Sequence, residues 1–160
     1  MAIQVGEKLP EVTLKTMTND GIKDVKTSEL FAGKRVVLFA LPGAFTPTCS
    51  AKHLPGFIEQ ADAIRKKGID RIVCLSVNDA FVMGAWGKAQ SAGDAVTMLA
   101  DGNGDFSKAV GLDFDGSGFG MGRRSQRYAM VIENGVLKKL FVEKPMEFKV
   151  SSAESVLAAL

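Results

Sequence analysis

Two nearly continuous apolar runs constrain the fold of this chain more than any other feature. Residues 34–41 read KRVVLFAL and residues 70–77 read DRIVCLSV, and both are rich in β-branched side chains. Such runs are typical of strands buried on both faces, as in parallel sheets covered by helices. Between them, residues 48–67 place apolar side chains at helical spacing. The pattern therefore predicts a strand–helix–strand unit at the centre of the fold.

The remaining segments extend this unit on both sides. The helix predicted over 48–67 has one apolar face and ends at Gly68. Its apolar face consists of Leu54, Phe57, Ile58, Ala61 and Ile64. The other predicted elements are a hairpin (11–17 and 21–27, broken at Asn19-Asp20-Gly21), a helix from Asn78 or Asp79 to about Gln90, a strand (96–100), a short helix (105–112), a loop (113–122), a hairpin (127–143, turning at Asn134-Gly135) and a helix (151–160, capped by Ser151 or Ser152). This order predicts an α/β sandwich with a central mixed sheet and helices on both faces. With no repeat or linker in 160 residues, we expect one domain over 1–160.

Charge and hydropathy exclude several classes of function. The formal net charge is +2, from 20 basic and 18 acidic side chains, so nothing favours nucleic acid or an anionic membrane as a partner. No apolar run approaches the roughly 20 residues of a membrane-spanning helix. The first residues, MAIQVGEKLPEV, lack the features of a signal or transit peptide. We therefore expect a cytoplasmic protein.

Cys49 lies where a helix is predicted to begin. Thr46 suits the N-cap and Pro47 the first helical position, so Cys49 falls in the first turn. Free backbone N–H groups and the helix dipole there favour a thiolate over a thiol. The residues at the spacing of a C-x-x-C pair are Thr46 and Lys52, which disfavours dithiol exchange. Cys49 is thus a candidate nucleophile, and the alternative is a small core residue.

The second cysteine and the single histidine are open to two interpretations each. Cys74, inside the apolar run 70–77, is either a buried core thiol or the resolving partner of an oxidised Cys49. His53 follows Cys49 by four residues and shares its helical face. It is either the base of a cysteine hydrolase or a structural hydrogen-bonding residue.

Two glycine-containing motifs resemble binding loops and are rejected. The segment DGNGDF (101–106) starts like a calcium loop, but Phe106 and Leu112 stand where glycine and glutamate are required. The glycines of 116–122 do not fit G-x-G-x-x-G and follow no strand-to-helix turn.

Four separated segments carry a family resemblance that covers nearly the whole chain. PGAFTPTCSAKHLPGF (42–57) resembles the active-site segment of the peroxiredoxins, with the pattern P-x-x-x-T-x-x-C. The other three are SVNDAFVMGAW (76–86), LADGNGDF (99–106) and RRSQRYAMVIENG (123–135), and they are similar to the atypical peroxiredoxin-5 (type II) subfamily. The resemblance implies a thioredoxin-like three-layer sandwich and a thiol peroxidase that reduces hydrogen peroxide and alkyl hydroperoxides.

The resemblance also assigns roles within the first segment. Cys49 matches the peroxidatic cysteine, whose thiolate attacks the peroxide and becomes sulfenic acid. Thr46 matches the threonine whose hydroxyl orients the peroxide as a donor and contacts the sulfur. Pro42 matches the proline that shields the sulfur from water.

A fourth site residue comes from the segment 123–135. Arg127 matches the arginine that lies against the thiolate, where a guanidinium stabilises the anion and the charge on the leaving oxygen. Arg123 and Arg124 compete for this role from sequence alone, and only the match of RYAMV selects Arg127.

The family pattern is incomplete at the C-terminus. Animal members carry a resolving cysteine there, whereas residues 143–157 read EKPMEFKVSSAESVL. We therefore expect a one-cysteine cycle in which glutathione with glutaredoxin, or a thioredoxin-like donor, reduces Cys49. A Cys49–Cys74 disulfide is the alternative, and a slow peroxide sensor that oxidises a partner is another. The resemblance implies a reaction without metal, haem or flavin. It also implies a homodimer formed near the aromatic residues Phe45, Phe81 and Trp86. For Trp86 alone, core packing is the simpler expectation.

Overall fold

The two apolar runs form neighbouring parallel strands at the centre of a seven-stranded mixed sheet in the computed structural model, which describes residues 1–160. The strands are β1 (Thr13–Thr18), β2 (Gly21–Lys26), β3 (Arg35–Leu41), β4 (Arg71–Ser76), β5 (Thr97–Ala100), β6 (Asp113–Asp115), β7 (Arg123–Ser125), β8 (Tyr128–Glu133) and β9 (Val136–Val142). The sheet order is β2-β1-β5-β4-β3-β8-β9, with β6 and β7 forming a separate two-stranded ribbon. Strands β3, β4 and β5 are parallel, and the remaining pairs are antiparallel. The mixed sheet predicted from the sequence is confirmed.

Helices cover both faces of this sheet. They are α1 (Thr27–Phe31), α2 (Leu54–Glu59), α3 (Ala61–Lys66), α4 (Ala80–Ala89), α5 (Asp105–Ala109) and α6 (Ala153–Ala159). In β3, Val37 and Phe39 pack with α2, α3, α4 and α6, whereas Val36 and Leu38 pack with α1 and α5 on the other face. Successive strand residues point to opposite faces, so a strand covered on both sides must be apolar throughout. The three-layer, thioredoxin-like arrangement follows from this pattern.

The helix predicted over 48–67 is broken into three pieces. A π-helical turn (Cys49–His53) leads into α2, and the helix breaks again at Gln60, whose φ and ψ are −92° and 5°. In the π-helical turn the Leu54 N–H donates to the Cys49 carbonyl, five residues back. Pro55 has no N–H to continue the regular ladder, which explains the wider turn in front of it. The apolar face is as predicted: Leu54, Phe57, Ala61 and Ile64 are buried, and Ile58 is half-buried.

The strands β6 and β7 and the helix α1 were not predicted. Residues 113–122, expected as a loop, begin with β6, which pairs with β7 in the register Asp113↔Ser125. The Gly116 N–H donates to the Gly122 carbonyl at the end of this ribbon. Glycine permits this close approach, because a Cβ at position 116 would lie 2.9 Å from that carbonyl oxygen. Helix α1 is one turn long. Elements of three to five residues are too short to show a hydrophobic period, so the sequence pattern misses them.

The turn and cap predictions hold elsewhere. Asn134 and Gly135 connect β8 to β9 with φ values of 47° and 79°, the left-handed pair that a tight hairpin requires. Asp79 caps α4 by accepting the Val82 N–H at 2.8 Å. Ser152, the second of the two serines considered, caps α6 by accepting the Ser155 N–H at 3.1 Å. None of the helices has the length and apolarity needed to cross a membrane.

Candidate active site

Cys49 lies in the first helical turn after β3, as predicted. The Ser50 N–H donates to the Thr46 carbonyl at 2.9 Å, so the first turn closes around Cys49. The Cys49 side chain is fully buried and packs in the core between the sheet and α2. Two hydrogen bonds tie this segment to the β4–α4 connection and to α4: the Ala44 N–H donates to Asn78 Oδ1 (3.0 Å), and Trp86 Nε1 donates to Ser50 Oγ (3.1 Å). The sulfur therefore sits at the carboxyl end of β3 in a fixed setting.

Arg127 reaches this sulfur from the adjacent strand. It directly precedes β8, which pairs antiparallel with β3 so that Tyr128 lies opposite Ala40 at the end of β3 that leads to Cys49. Arg127 Nη2 donates to Cys49 Sγ at 3.1 Å. The guanidinium carbon also lies 5.8 Å from the centre of the Phe148 ring, within cation–π range. Of the three arginines considered from the sequence, Arg127 is the one in contact with the sulfur.

His53 holds the other arm of the same guanidinium. Arg127 Nη1 lies 2.9 Å from His53 Nδ1, and His53 Nε2 lies 3.0 Å from the Ser151 carbonyl oxygen. Burial first, and the positive charge of Arg127 second, lower the pKa of His53 to about 3, against the opposing effects of the Ser151 carbonyl and the Glu143 carboxylate. The ring is therefore neutral at pH 7. Because a carbonyl only accepts, Nε2 carries the proton and Nδ1 accepts from Arg127.

This geometry removes the hydrolase interpretation. A base for Cys49 needs a free lone pair within reach of the sulfur. The only lone pair of the neutral His53 ring accepts from Arg127, which contacts the sulfur itself. His53 acts as a hydrogen-bonding residue beside the site, as the second interpretation of its spacing held.

Glu143 anchors the segment that holds His53. Its Oε2 atom accepts from the N–H groups of Lys149, Val150 and Ser151 and from the Ser151 hydroxyl, at 2.7 to 2.9 Å. Burial alone would raise the pKa of Glu143, but these hydrogen bonds outweigh it and hold the pKa below its usual range. The carboxylate thereby fixes the Ser151 carbonyl against His53. No periodicity or motif in the sequence identified Glu143, because its partners lie in an irregular segment.

Thr46 and Pro42 lie in the loop before the helix, both half-buried. The Thr46 hydroxyl donates to the Gly43 carbonyl at 2.7 Å. This differs from both expectations for Thr46: the side chain does not cap the helix, and its proton is already engaged. The tight 43–46 turn places the Gly43 carbonyl within reach of this hydroxyl, so its oxygen keeps only acceptor capacity.

Arg124 braces the loop from the outside, a contact that the sequence did not predict. Arg124 Nη1 donates to the Pro42 carbonyl at 3.2 Å. A Cβ on Gly43 would lie 2.8 Å from that nitrogen, so glycine makes this approach feasible. Arg124, one of the two arginines that competed with Arg127 in the sequence, therefore bonds to the backbone of Pro42 next to the site.

Cys74 is a core residue of the central strand β4. It is fully buried, lies between Phe39 of β3 and Met98 of β5 in the sheet register, and is a free thiol like Cys49. Burial first, and electrostatic repulsion from Cys49 second, raise the pKa of the Cys74 thiol well above its usual value. The core interpretation of Cys74 accounts for this position.

The segment 101–106 has a local structural role. The Asp101 carboxylate accepts the N–H groups of Phe106 (3.0 Å) and Ser107 (2.9 Å) at the start of α5. The Asp101 carboxylate thus caps α5. The segment resembles a calcium loop because an aspartate precedes the first turn of a helix in both.

A thioredoxin-like sheet that holds a buried cysteine at a helix start against an arginine defines a redoxin. The family model described as Redoxin matches residues 4–157 of this chain. Peroxiredoxin-2E, chloroplastic, of Arabidopsis thaliana is 50% identical over 163 residues, covering 99% of this chain and 70% of the relative. The crystal structure of reduced Prx3 in complex with H₂O₂ from Vibrio vulnificus has a TM-score of 0.95 and 57% identity, covering 98% of each chain. That of the Plasmodium falciparum antioxidant protein (1-Cys peroxiredoxin) has a TM-score of 0.90 and 32% identity, covering 96% of each.

These matches span the whole sheet and both segments that build the site. The chain belongs to the peroxiredoxins, in the group of the type II and peroxiredoxin-5 proteins, and is a thiol peroxidase. Its substrate is a peroxide, and a thiol reductant regenerates it.

Proposed function

We propose that Cys49 is the peroxidatic residue of this peroxidase, with Arg127, Thr46 and Pro42 as its partners. The thiolate attacks one peroxide oxygen, an S–O bond forms, and the O–O bond breaks. Sulfur is oxidised to sulfenic acid, and the leaving oxygen takes up a proton to become water or alcohol. Pro42 limits water at the sulfur, and the Thr46 lone pair accepts the peroxide O–H.

The contact between Arg127 Nη2 and Cys49 Sγ, at 3.1 Å, carries this proposal. A guanidinium is always charged and favours the anionic sulfur over the neutral thiol. The same group lies where negative charge develops on the leaving oxygen, in a setting largely closed to water. The start of the helix adds its dipole to this effect.

We further propose a one-cysteine cycle with glutathione and glutaredoxin, or a thioredoxin, as the donor. Cys74 is a poor resolving group, because burial keeps its thiol protonated and a central strand fixes its backbone. The name of the Plasmodium relative, a 1-Cys peroxiredoxin, supports the same cycle. Glutathione condenses with the sulfenic acid and releases water. A second thiol then displaces Cys49 and leaves as the oxidised disulfide.

Burial of the sulfur adds a requirement to this cycle. Cys49 is fully buried, and a tripeptide thiol must reach its sulfur in line with the S–O bond. The turn 49–53 therefore has to open after oxidation, which breaks the contact with Arg127. The proposed cycle therefore uses two conformations: oxidation while Arg127 contacts the sulfur, and reduction after the turn has opened.

Replacing each cysteine in turn tests the assignment. Cys49→Ser should abolish peroxide consumption, whereas Cys74→Ser should retain most of it with glutathione and glutaredoxin. Activity in Cys49→Ser would disprove the nucleophile, and loss in Cys74→Ser with every donor would disprove the one-cysteine cycle. Mass spectrometry after one equivalent of peroxide plus glutathione separates the cycles. A glutathione adduct supports ours, and a loss of two hydrogens indicates a Cys49–Cys74 bridge.

We propose a homodimer formed around the mouth of the site. Phe45, in the loop that leads to Cys49, and Phe81, at the start of α4, are large exposed aromatic side chains (57% and 66%). Phe45 is presented by a backbone with φ of 63°, and its ring lies 6.4 Å from that of the buried Trp86. Aromatic side chains are enriched at protein–protein interfaces. Sedimentation of Phe81→Asp should show a monomer at concentrations where the unchanged chain is a dimer.

We propose that the cycle uses no bound metal or cofactor, because sulfur alone carries both electrons of the reaction. Dialysis against a chelator should leave the peroxidase rate unchanged. The expected location is the cytoplasm, a reducing compartment in which two free thiols persist. The chloroplast named for the Arabidopsis relative is the alternative. Fractionation of cells that express a tagged chain distinguishes them.

A further inference from the structure

Arg127 uses its guanidinium as a two-armed fork, and only one arm faces the sulfur. Nη2 donates to Cys49 Sγ (3.1 Å), and Nη1 lies 2.9 Å from His53 Nδ1. A guanidinium bonded through one nitrogen can rotate on its long, flexible side chain, whereas a guanidinium bonded through both terminal nitrogens has a fixed orientation. The contact at Nη1 therefore sets where Nη2 points.

His53 is itself immobile. Its side chain is fully buried and lies between the rings of Phe39 (5.0 Å), Phe57 (5.7 Å) and Phe148 (5.0 Å). The bond from Nε2 to the Ser151 carbonyl (3.0 Å) fixes the remaining rotation of the ring. This leaves Nδ1 as a rigid acceptor aimed at Arg127.

The anchor of His53 is rigid in turn. Four hydrogen bonds bind the segment Lys149–Ser151 to Glu143 Oε2. The Glu143 N–H also donates to the Arg127 carbonyl at 3.0 Å. Glu143 thus joins two parts of the site. Its backbone bonds to Arg127, and its side chain holds the segment 149–151, called the strap below, whose Ser151 carbonyl anchors His53.

We propose that His53, as its Nε2–H tautomer, is a positioning residue that aims the Arg127 guanidinium at the sulfur of Cys49. It touches neither sulfur nor substrate, and its effect on the reaction passes through Arg127. The inference rests on the proposed role of Cys49. It predicts that the acceptor at Nδ1 matters for the rate with peroxide, and that the donor at Nε2 matters for anchoring.

A matched pair of substitutions separates these two halves of the ring. The amide of His53→Asn places an oxygen near Nδ1 and keeps an acceptor for Arg127. The amide of His53→Gln reaches the position of Nε2, so it keeps a donor for Ser151 and leaves Nη1 without a partner. The second-order rate constant with hydrogen peroxide, measured by stopped-flow fluorescence of Trp86, should fall about 10- to 100-fold in His53→Gln and less than about 3-fold in His53→Asn. Equal losses in both variants would overturn the proposal.

A double-mutant cycle tests whether the effect passes through Arg127. Adding His53→Gln to Arg127→Gln should cause no further loss, within about 2-fold, because the fork is already absent. An equal loss in both backgrounds would show that His53 acts by another route. Activity in Cys49→Ser would remove the proposed function instead, whatever the His53 variants do.

The tautomer can also be read without any variant. The ¹⁵N spectrum of the imidazole at pH 7 should show a protonated Nε2 and an unprotonated Nδ1. A protonated Nδ1 could not accept from Arg127 and would overturn the proposal, even if the substitutions impair folding.

Discussion

The buried His53 should make the free energy of unfolding fall as the pH drops below the pKa of a free histidine. Burial and the charge of Arg127 lower the pKa of His53 from 6.5 to about 3 in the folded chain. Above pH 6.5 the ring is neutral in both states, and no proton is taken up on unfolding. Between 6.5 and 3 only the unfolded chain binds this proton, so stability declines by about 1.4 kcal/mol per pH unit. Below 3 the decline due to His53 ends, because both states bind the proton.

From pH 7.5 to 5.0 this amounts to about 2 kcal/mol, a substantial part of the stability of a small protein. Urea unfolding at fixed protein concentration, followed by circular dichroism, measures it in the unchanged chain and in His53→Gln. Each protein gives a curve of the free energy of unfolding against pH. Subtracting one curve from the other removes the contribution of the carboxylates, which both proteins share, and leaves the decline due to His53. Parallel curves would mean that His53 is protonated or exposed in the folded chain, and the neutral acceptor for Arg127 would be wrong.

Four further substitutions, at three positions, probe the site and its support. Arg127→Gln should lower the second-order rate constant with peroxide about 10²- to 10³-fold, and Arg127→Lys should fall in between, since lysine keeps the charge but cannot bridge His53 and Cys49. Stopped-flow rates check both, and a lysine variant as fast as arginine would contradict the fork. Glu143→Gln should lower the free energy of unfolding at pH 7 by about 1 to 3 kcal/mol, because a neutral amide replaces a carboxylate that accepts four bonds. Urea unfolding measures this, and no loss would mean that the strap is not held by charge. Asp79→Ala should cost about 1 kcal/mol through the lost cap of α4, with the peroxidase rate unchanged; a slower rate would show that the cap also supports the site.

The parts of the site that follow from sequence are those built by neighbouring residues. The helix begins at Pro47, as the preference of proline for the first helical position predicts, so the position of Cys49 in its first turn could be predicted even though the Thr46 side chain does not cap the helix. The shared face of Cys49 and His53 follows from their spacing alone. The use of the Thr46 hydroxyl could not be predicted, because it depends on the fold of the 43–46 turn.

Contacts between distant segments lie outside such reasoning. Arg127 and Cys49 are 78 positions apart, and His53 and Ser151 are 98 apart. A spacing rule has no information about pairs of this kind, and the family resemblance supplied only the first of them. Glu143 and Phe148 had no signal at all, because an irregular segment has no period from which to infer a direction.

The sequence by itself determined the sheet, its helical layers and the cysteine at a helix start, since hydrophobic period and capping act over a few residues. The tertiary structure alone decided which nitrogen of His53 carries the proton and which serine carbonyl accepts its hydrogen bond, and it places Arg127, the arginine that the family match selected, against the sulfur. Those outcomes depend on strand register and on burial. Both exist only once β3 has paired with β8 and the strap (149–151) has bonded to Glu143.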